Sequence, residues 1–278
     1  MAEHDQAQRV ERFRALHRPG DPLLIPNPWD RGSARLLASL GFEALATTSS
    51  GFAATLGRLD GSVTRQEAIA HAADIVAATD LPVSADLENG FDDDPAGVAQ
   101  TARLAVGAEL AGFSIEDFSR DAGAIYDRAA AAERVAAAVE AAHAGEARLV
   151  VTARAENFLH GRDDLDDTIA RLQAYQEAGA DVLYAPGPTR AQDIGAIVSA
   201  VERPVNVLVR AGSPPVAELA ALGVSRISVG GAFAFAAAQA LVAAARELHE
   251  EGTYAFTEAA AAGAQAVRDA FDRPSPGT

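Results

Sequence analysis

The sequence contains no cysteine and no lysine, and these two absences exclude several kinds of chemistry. Without cysteine the chain cannot form disulfides, thiolate metal sites or a cysteine nucleophile. All 23 basic residues are arginines, which excludes a Schiff-base lysine, a pyridoxal phosphate attachment point and a P-loop lysine. If the protein stabilises negative charge on a reacting carbon acid, the positive partner must be a metal ion, an arginine or backbone N–H groups.

Basic charge is scarce relative to acidic charge, with a formal net charge of -16 and a pI of about 4.7. This balance argues against a nucleic-acid partner, because phosphate contacts need clustered basic side chains. The polar start of the chain and the lack of an uncharged run of membrane-spanning length predict a cytoplasmic protein with no membrane partner. With 278 residues, of which 49% are hydrophobic, we expect one domain over residues 1–278.

Short apolar runs alternate with longer helix-patterned segments along most of the chain. Each run is almost continuously hydrophobic, which is typical of parallel strands covered by helices. The candidate strands are Leu23–Asn27, Ala44–Thr48, Val83–Leu87, Gly112–Asp117, Leu149–Arg154, Val182–Gly187, Val205–Val209 and Arg226–Gly230. Eight such units predict an α/β fold of the (β/α)8 TIM-barrel type. The alternative, an open doubly wound sheet, is disfavoured because Ile25–Asp30 stands where such folds carry a glycine-rich loop.

Several residues predict where individual helices begin and end. Thr64 and Glu67 form a capping-box pattern ahead of an apolar-periodic segment. Glycines at four helix-to-strand junctions are expected to adopt left-handed caps: Gly41, Gly112, Gly179 and Gly223. We expect an extra N-terminal helix within 1–20 and, within 254–278, a C-terminal helix and tail whose apolar surface packs on a neighbouring subunit.

Carboxylates collect at the predicted C-terminal ends of neighbouring strands. Asp86 and Glu88 end the third strand, Glu116 and Asp117 end the fourth, and Asp60 follows the second. In a barrel of this type reactive side chains lie at these ends, and several converging carboxylates repel one another unless a cation separates them. Hard oxygen ligands favour Mg2+ or Mn2+ over zinc. The alternative is that these acids cap helices or pair with arginines.

Three other features follow strand ends. Arg154 ends the fifth strand and is suited to holding a carboxylate or an oxyanion, or alternatively to a salt bridge. Thr47–Gly51 offers hydroxyls and backbone N–H groups for a carboxylate, or is an ordinary turn. His160 is a candidate proton donor or a surface histidine, and Ser50 lacks the G-x-S-x-G context of a hydrolase nucleophile.

Taken together, these motifs resemble the isocitrate lyase/phosphoenolpyruvate mutase superfamily over residues 25–229. The residues that carry the resemblance are Asn27–Asp30, Ser33–Arg35, Thr48–Gly51, Leu56–Asp60, Asp86–Gly90, Ser114–Asp117 and Ala153–Phe158. The resemblance implies a Mg2+ site at Asp86, Glu88 and Glu116, with Asp60 one layer further out. It also implies that Ser49, Ser50 and Gly51 bind a substrate carboxylate and that Arg154 holds the oxo-acid end.

The residues that we assign to substrate binding in this scheme are Trp29, Thr48, Ser49, Ser50, Gly51, Asp86, Arg154 and Asn206. Those assigned to catalysis are Glu116, Tyr126, Arg154 and His160. Members of the superfamily make or break C–C or P–C bonds through an enolate of a 2-oxo acid, and their barrels commonly pair by exchanging a C-terminal helix. The resemblance therefore implies a homodimer or homotetramer.

The sequence departs from the superfamily pattern at three points. Glu88 replaces the usual aspartate, Phe118–Tyr126 replaces the loop that carries the catalytic cysteine of the lyases, and Ala185 replaces a histidine of the phosphono members. The proton donor is consequently left open among Tyr126, Tyr184, His160 and metal-bound water.

The resulting hypothesis is a Mg2+-dependent lyase or hydrolase that cleaves a C–C bond of a small 2-oxo or 2-hydroxy (di)carboxylic acid through a metal-stabilised enolate. Three alternatives remain. One is an enzyme of P–C bonds. Another is a sugar-phosphate enzyme using Ala211–Ser213 and Ser228–Gly231, and the last is a weakly catalytic protein that binds 2-oxo acids.

Overall fold

A computed structural model describes residues 2–272, so the predicted tail at 273–278 lies outside the described residues. Its strands are β1 (Leu23–Ile25), β2 (Leu45–Ala46), β3 (Val83–Asp86), β4 (Gly112–Glu116), β5 (Phe118–Ser119), β6 (Ala124–Ile125), β7 (Val150–Arg154), β8 (Val182–Tyr184), β9 (Val205–Leu208) and β10 (Arg226–Ser228). Its α-helices are α1 (Ala2–Ala15), α2 (Arg31–Ser39), α3 (Ser49–Thr55), α4 (Arg65–Val76), α5 (Pro95–Gly107), α6 (Arg128–His143), α7 (Leu165–Glu177), α8 (Ala191–Ala200), α9 (Val216–Ala221), α10 (Ala232–Arg246) and α11 (Phe256–Phe271). A 3-10 turn covers Asn157–His160 and a π-helical turn covers Glu247–Glu251.

Eight of these strands form one parallel sheet in the order β1-β10-β9-β8-β7-β4-β3-β2. The two end strands approach each other, since the Ala46 N–H donates to the Pro26 carbonyl at 3.1 Å. The predicted (β/α)8 barrel is therefore confirmed. All eight predicted strands are present, but most are shorter than their apolar runs. The second, for example, stops at Ala46 because Thr48 already caps α3 by accepting the Gly51 N–H at 3.3 Å.

The helix boundaries follow the predicted capping residues with one exception. Thr64 and Glu67 form the expected capping box of α4. Gly41, Gly179 and Gly223 have positive φ angles of 89°, 96° and 87°. Gly112 does not, because it is already the first residue of β4, where a Cβ would lie 2.6 Å from the Val150 carbonyl oxygen. Glycine is needed here for close strand packing and not for a left-handed cap.

Both termini add helices to the barrel, as predicted. Helix α1 packs onto the barrel through Phe13, which is fully buried, and through Gln6, whose amide donates to the Val106 and Leu110 carbonyls at 3.0 Å. Helix α11 lies against α2, where the Arg35 guanidinium donates to the Phe271 carbonyl at 3.0 Å. The described helices include none that is both long enough and apolar enough to cross a membrane.

Candidate active site

A cavity of about 190 Å³ opens where the strands end and continues into the barrel. All eight strands of the barrel sheet contribute to its walls, together with loops that follow them, and strand ends are where barrel enzymes carry their chemistry. The residues that line it and bear on its chemistry are Asn27, Thr48, Ser49, Ser50, Asp60, Asp86, Arg154, Tyr184, Asn206, Arg226 and Ser228. Seven of the residues predicted from the sequence thus share one cavity: Thr48, Ser49, Ser50, Asp60, Asp86, Arg154 and Asn206.

Arg154, at the end of β7, joins three carboxylates at the edge of this cavity. Its Nη1 lies 3.1 Å from Asp86 Oδ1, its Nη2 lies 3.2 Å from Glu116 Oε2, and its Nε lies 2.8 Å from Glu156 Oε1. The parallel register places Glu116 beside Arg154, because β4 and β7 pair at these two residues. The guanidinium is only 12% exposed, so little water screens these ion pairs.

Arg120 is a second cation in the cluster, and no motif in the sequence predicts its position there. It lies in the β5–β6 hairpin, and its Nε is 2.7 Å from Glu88 Oε2. Its Nη2 lies 3.7 Å from Asp60 Oδ1 and 4.0 Å from Glu116 Oε1. Gly61 gives it room, since a Cβ there would meet Arg120 Nη1 at 1.5 Å. The hairpin therefore places a guanidinium among the carboxylates assigned to the metal.

The donor set fits Mg2+ in its chemistry, although Arg120 stands within it. Five carboxylates, Asp60, Asp86, Glu88, Glu116 and Glu156, face the two guanidiniums of Arg120 and Arg154, which leaves negative charge in excess. Glu88 Oε1 is buried without a hydrogen-bond partner. Oxygen donors with surplus negative charge are what Mg2+ prefers. Within residues 2–272, however, no three acidic or histidine side chains converge on one point where an ion could bind. The alternative stated above, in which these acids pair with arginines, is therefore present in the structure.

Burial controls the ionisation of these acids. It raises the pKa of Glu88 to about 7, against the opposing pull of Arg120. Burial likewise raises the pKa of Glu116 and of Glu156, although Arg154 favours the charged form of both. Burial therefore favours the neutral form of these acids, and a bound cation would favour their charged form.

The predicted carboxylate cradle is only partly available. Ser49 and Ser50 line the cavity, but the Ser49 N–H is 3.4 Å from Asp86 Oδ2 and the Gly51 N–H is used by Thr48. Gly51 and Trp29 do not line the cavity. Glycine is required at position 51 because a Cβ would lie 2.6 Å from Thr48 Cγ2 and 3.2 Å from Trp29 Cβ.

Of the side chains considered as proton donors, Tyr184 alone lines the cavity. Burial raises the pKa of Tyr184 to about 12, so its hydroxyl keeps its proton at neutral pH. Tyr126 lies further out, donating its hydroxyl proton to Asp93 and accepting from Asn89 at 2.9 Å. His160 stacks on Phe118 with ring centroids 3.5 Å apart. The positions of Tyr126 and His160 near strand ends were predictable from the sequence. The direction of their side chains, away from the cavity, was not.

The glycine-containing segment after β10 does not offer a free phosphate cradle. The backbone N–H groups of Val229 and Gly230 donate to Asn27 Oδ1 at 3.0 and 2.9 Å. Asp117 is also occupied, since it accepts from the Glu156 N–H at 2.8 Å and pairs with Arg171 at 3.1 Å. These contacts hold loops together, and Asp60 and Asp86 are the carboxylates that line the cavity together with Arg154.

The fold and the site thus define a (β/α)8-barrel protein with an arginine-bridged carboxylate cluster at the strand ends. The family model described as phosphoenolpyruvate phosphomutase matches residues 13–249. The chain belongs to this family, within the isocitrate lyase/phosphoenolpyruvate mutase superfamily, as the motifs predicted.

Individual relatives agree with this assignment. The chain is 32% identical to oxaloacetate decarboxylase of Paraburkholderia xenovorans strain LB400, covering 73% of this chain and 68% of that protein. It is 31% identical to 2-methylisocitrate lyase of Bacillus subtilis strain 168, covering 64% and 60%. A crystal structure from Burkholderia cenocepacia J2315 is 55% identical with a TM-score of 0.93, covering 98% of this chain and 99% of that chain. The structure of 2,3-dimethylmalate lyase is 28% identical with a TM-score of 0.80, covering 89% and 86%.

Proposed function

We propose that the protein is a Mg2+-dependent lyase or hydrolase that cleaves a C–C bond of a small 2-oxo or 2-hydroxy dicarboxylic acid. The observation that carries this proposal is the Arg154 guanidinium held among Asp86, Glu116 and Glu156 at the edge of the cavity. Relatives named as lyases and as an oxaloacetate decarboxylase support the same class of reaction.

Asp86, Glu88 and Glu116 would hold the ion, with Asp60 further out. When bound, Mg2+ supplies positive charge that favours enolate character in a 2-oxo acid. The chain's own residues do the rest. Arg154 binds and orients the oxo-acid end, because its guanidinium stays charged and presents donors in a fixed plane. Ser49 and Ser50 offer hydroxyls to a substrate carboxylate, and the protonated Tyr184 hydroxyl is available to donate a proton.

The size of the cavity restricts the substrate. A volume of about 190 Å³ is below the range of pockets that take drug-sized ligands, so the site suits an acid of a few carbons. Polar side chains line it at the strand ends, which favours a charged substrate over an apolar one. A weakly catalytic binding protein would use the same geometry, and turnover distinguishes it from an enzyme.

The test is a panel of small 2-oxo and 2-hydroxy acids, assayed for release of pyruvate, glyoxylate or acetate with Mg2+ and with EDTA. We expect turnover with Mg2+ and none with EDTA. Arg154→Met should lower kcat/KM by about 100-fold or more, since a charged group facing the substrate is lost. Arg190→Ala is the matched control, because Arg190 is 79% exposed and pairs only locally with Asp193. Turnover insensitive to EDTA, or binding without turnover across the panel, would contradict the proposal.

A further inference from the structure

The inner end of the cavity contains a second arginine, Arg226, at the first residue of β10. The residue is only 5% exposed. Its guanidinium donates from Nε to Asn206 Oδ1 at 2.9 Å and from Nη2 to Thr152 Oγ1 at 3.1 Å, and its Nη1 lies 3.3 Å from His17 Nε2. A guanidinium has five N–H donors, so two remain beyond these three contacts.

All three of these partners are uncharged. Burial, followed by the charge of Arg226, lowers the pKa of His17 to about 3, which leaves its imidazole neutral. Burial also lowers the pKa of Arg226, to about 10, and this still leaves the guanidinium charged at neutral pH. Within residues 2–272, no aspartate or glutamate forms a salt bridge with Arg226.

The two arginines of the cavity therefore differ in their charge balance. Arg154 faces three carboxylates within 3.2 Å, whereas Arg226 faces none. A buried charge without a counter-ion is costly, and such a charge at the end of a cavity is stabilised when an anion enters. The planar fork of an arginine binds a carboxylate or a phosphonate through two donors at once.

We propose that Arg226 binds the anionic group at the far end of the substrate, making the site selective for acids that carry a second charged group. This inference rests on the proposed function, in which Arg154 holds the oxo-acid or hydroxy-acid end. The group recognised is a carboxylate or a phosphonate, because the guanidinium can donate hydrogen bonds to the oxygens of either group.

The test uses three probes that differ only at one end. These are 2-hydroxybutyrate, malate and 2-hydroxy-3-phosphonopropionate, which carry a methyl, a carboxylate and a phosphonate at the same position. Calorimetry in the presence of Mg2+ should show that the wild-type protein binds at least one charged probe about 10- to 100-fold more tightly than 2-hydroxybutyrate. Whichever charged probe binds better identifies the group. Arg226→Met should abolish this preference by weakening the binding of the charged probes much more than that of 2-hydroxybutyrate.

Asn206→Asp tests the same idea without removing the arginine. It places a carboxylate 2.9 Å from Arg226 Nε, so the internal counter-ion should abolish the preference and raise the midpoint of urea unfolding. Arg226→Lys keeps the positive charge but loses the two-donor geometry of the guanidinium, so it should retain part of the preference. It replaces Arg226→Met as the test variant if Arg226→Met does not fold.

Three results would overturn the role of Arg226: no preference in the wild type, a preference that survives in Arg226→Met or Asn206→Asp, or an equal loss for all three probes. An equal loss for all three probes would mean that Arg226 only stabilises the packing inside the barrel. A wild-type protein that binds none of the probes would refute the proposed function as well, so the two failures are distinguishable.

Discussion

Arg120 pairs with carboxylates that are assigned to the metal and so limits their ability to bind an ion. Its guanidinium contacts Glu88 at 2.7 Å and reaches Asp60 at 3.7 Å, so a divalent ion has to compete with it for the same oxygens. We expect Arg120→Ala to bind Mn2+ about 10-fold more tightly, equivalent to about 1.4 kcal/mol. Titration of Mn2+ followed by electron paramagnetic resonance measures this directly.

Two further variants make the Arg120 prediction specific. Gly61→Ala should produce part of this gain, because its Cβ would displace Arg120 Nη1 from 1.5 Å away, while the φ of 81° at Gly61 makes alanine strain the loop next to Asp60. Arg31→Ala, which breaks the exposed pair with Asp74, should leave Mn2+ binding unchanged. If Arg120→Ala weakens Mn2+ binding, the guanidinium organises the site and does not compete for it.

His17 gives the folded protein a specific sensitivity to acid. Burial, with Arg226 alongside, lowers its pKa from 6.5 to about 3, so between these values the unfolded chain binds a proton that the folded chain does not. Stability should therefore be lost as the pH falls from 6.5 towards 3, by about 1.4 kcal/mol per pH unit at most. Urea unfolding at pH 7, 6 and 5 should show a flatter profile for His17→Gln, whereas the exposed His249→Gln should match the wild type. Equal slopes for His17→Gln and the wild type would disprove the assignment.

At the scale of elements, the sequence predicted the repeating units well because each buried strand is a continuous apolar run. It predicted their ends less well. β2 stops at Ala46 because the Thr48 hydroxyl caps a helix, a competition between local hydrogen bonds that hydrophobicity does not report. The Arg120 position was not predictable, because it depends on the β5–β6 hairpin meeting the loop at Gly61, 59 residues earlier in the chain. Arg226 did carry a signal, since it is an arginine within an apolar strand, and we missed it.

Gly112 tests how closely β4 and β7 must approach. A Cβ at this position would lie 2.6 Å from the Val150 carbonyl oxygen and 3.0 Å from the Phe13 ring. The first of these contacts is to backbone, which cannot move without shifting β7. We expect Gly112→Ala to lower the free energy of unfolding by about 1–3 kcal/mol through overpacking. Gly145→Ala is the control, since its Cβ would meet nothing within 4 Å. Chemical denaturation of both variants measures the difference, and equal stabilities would show that the two strands separate at little cost.

At the scale of the whole molecule, the last helix of the barrel is not packed like the others. α10 follows β10 in the chain, and its contacts are mainly with the turn at Glu247–Glu251 that directly continues it, not with a neighbouring helix. It leaves large apolar side chains exposed, with Leu241 at 71% and Leu248 at 50%. The outward-facing Leu24 of β1, which pairs with β10, is also 42% exposed. An uncovered helix and an uncovered flank in one chain are complementary surfaces for a second copy.

We therefore expect the protein to form the homodimer or homotetramer predicted from the sequence, with α10 of one copy against the β1–β10 flank of another. Leu241→Glu combined with Leu248→Glu should dissociate it, because two charges would be buried without partners. Light scattering coupled to size-exclusion chromatography gives the mass of each species. Leu59→Glu, at a side chain that is 86% exposed on a loop far from α10 in the sequence, is the matched control and should keep the wild-type mass. A monomeric wild type, or an assembly that survives both charges, would show that these apolar side chains do not form the contact between subunits.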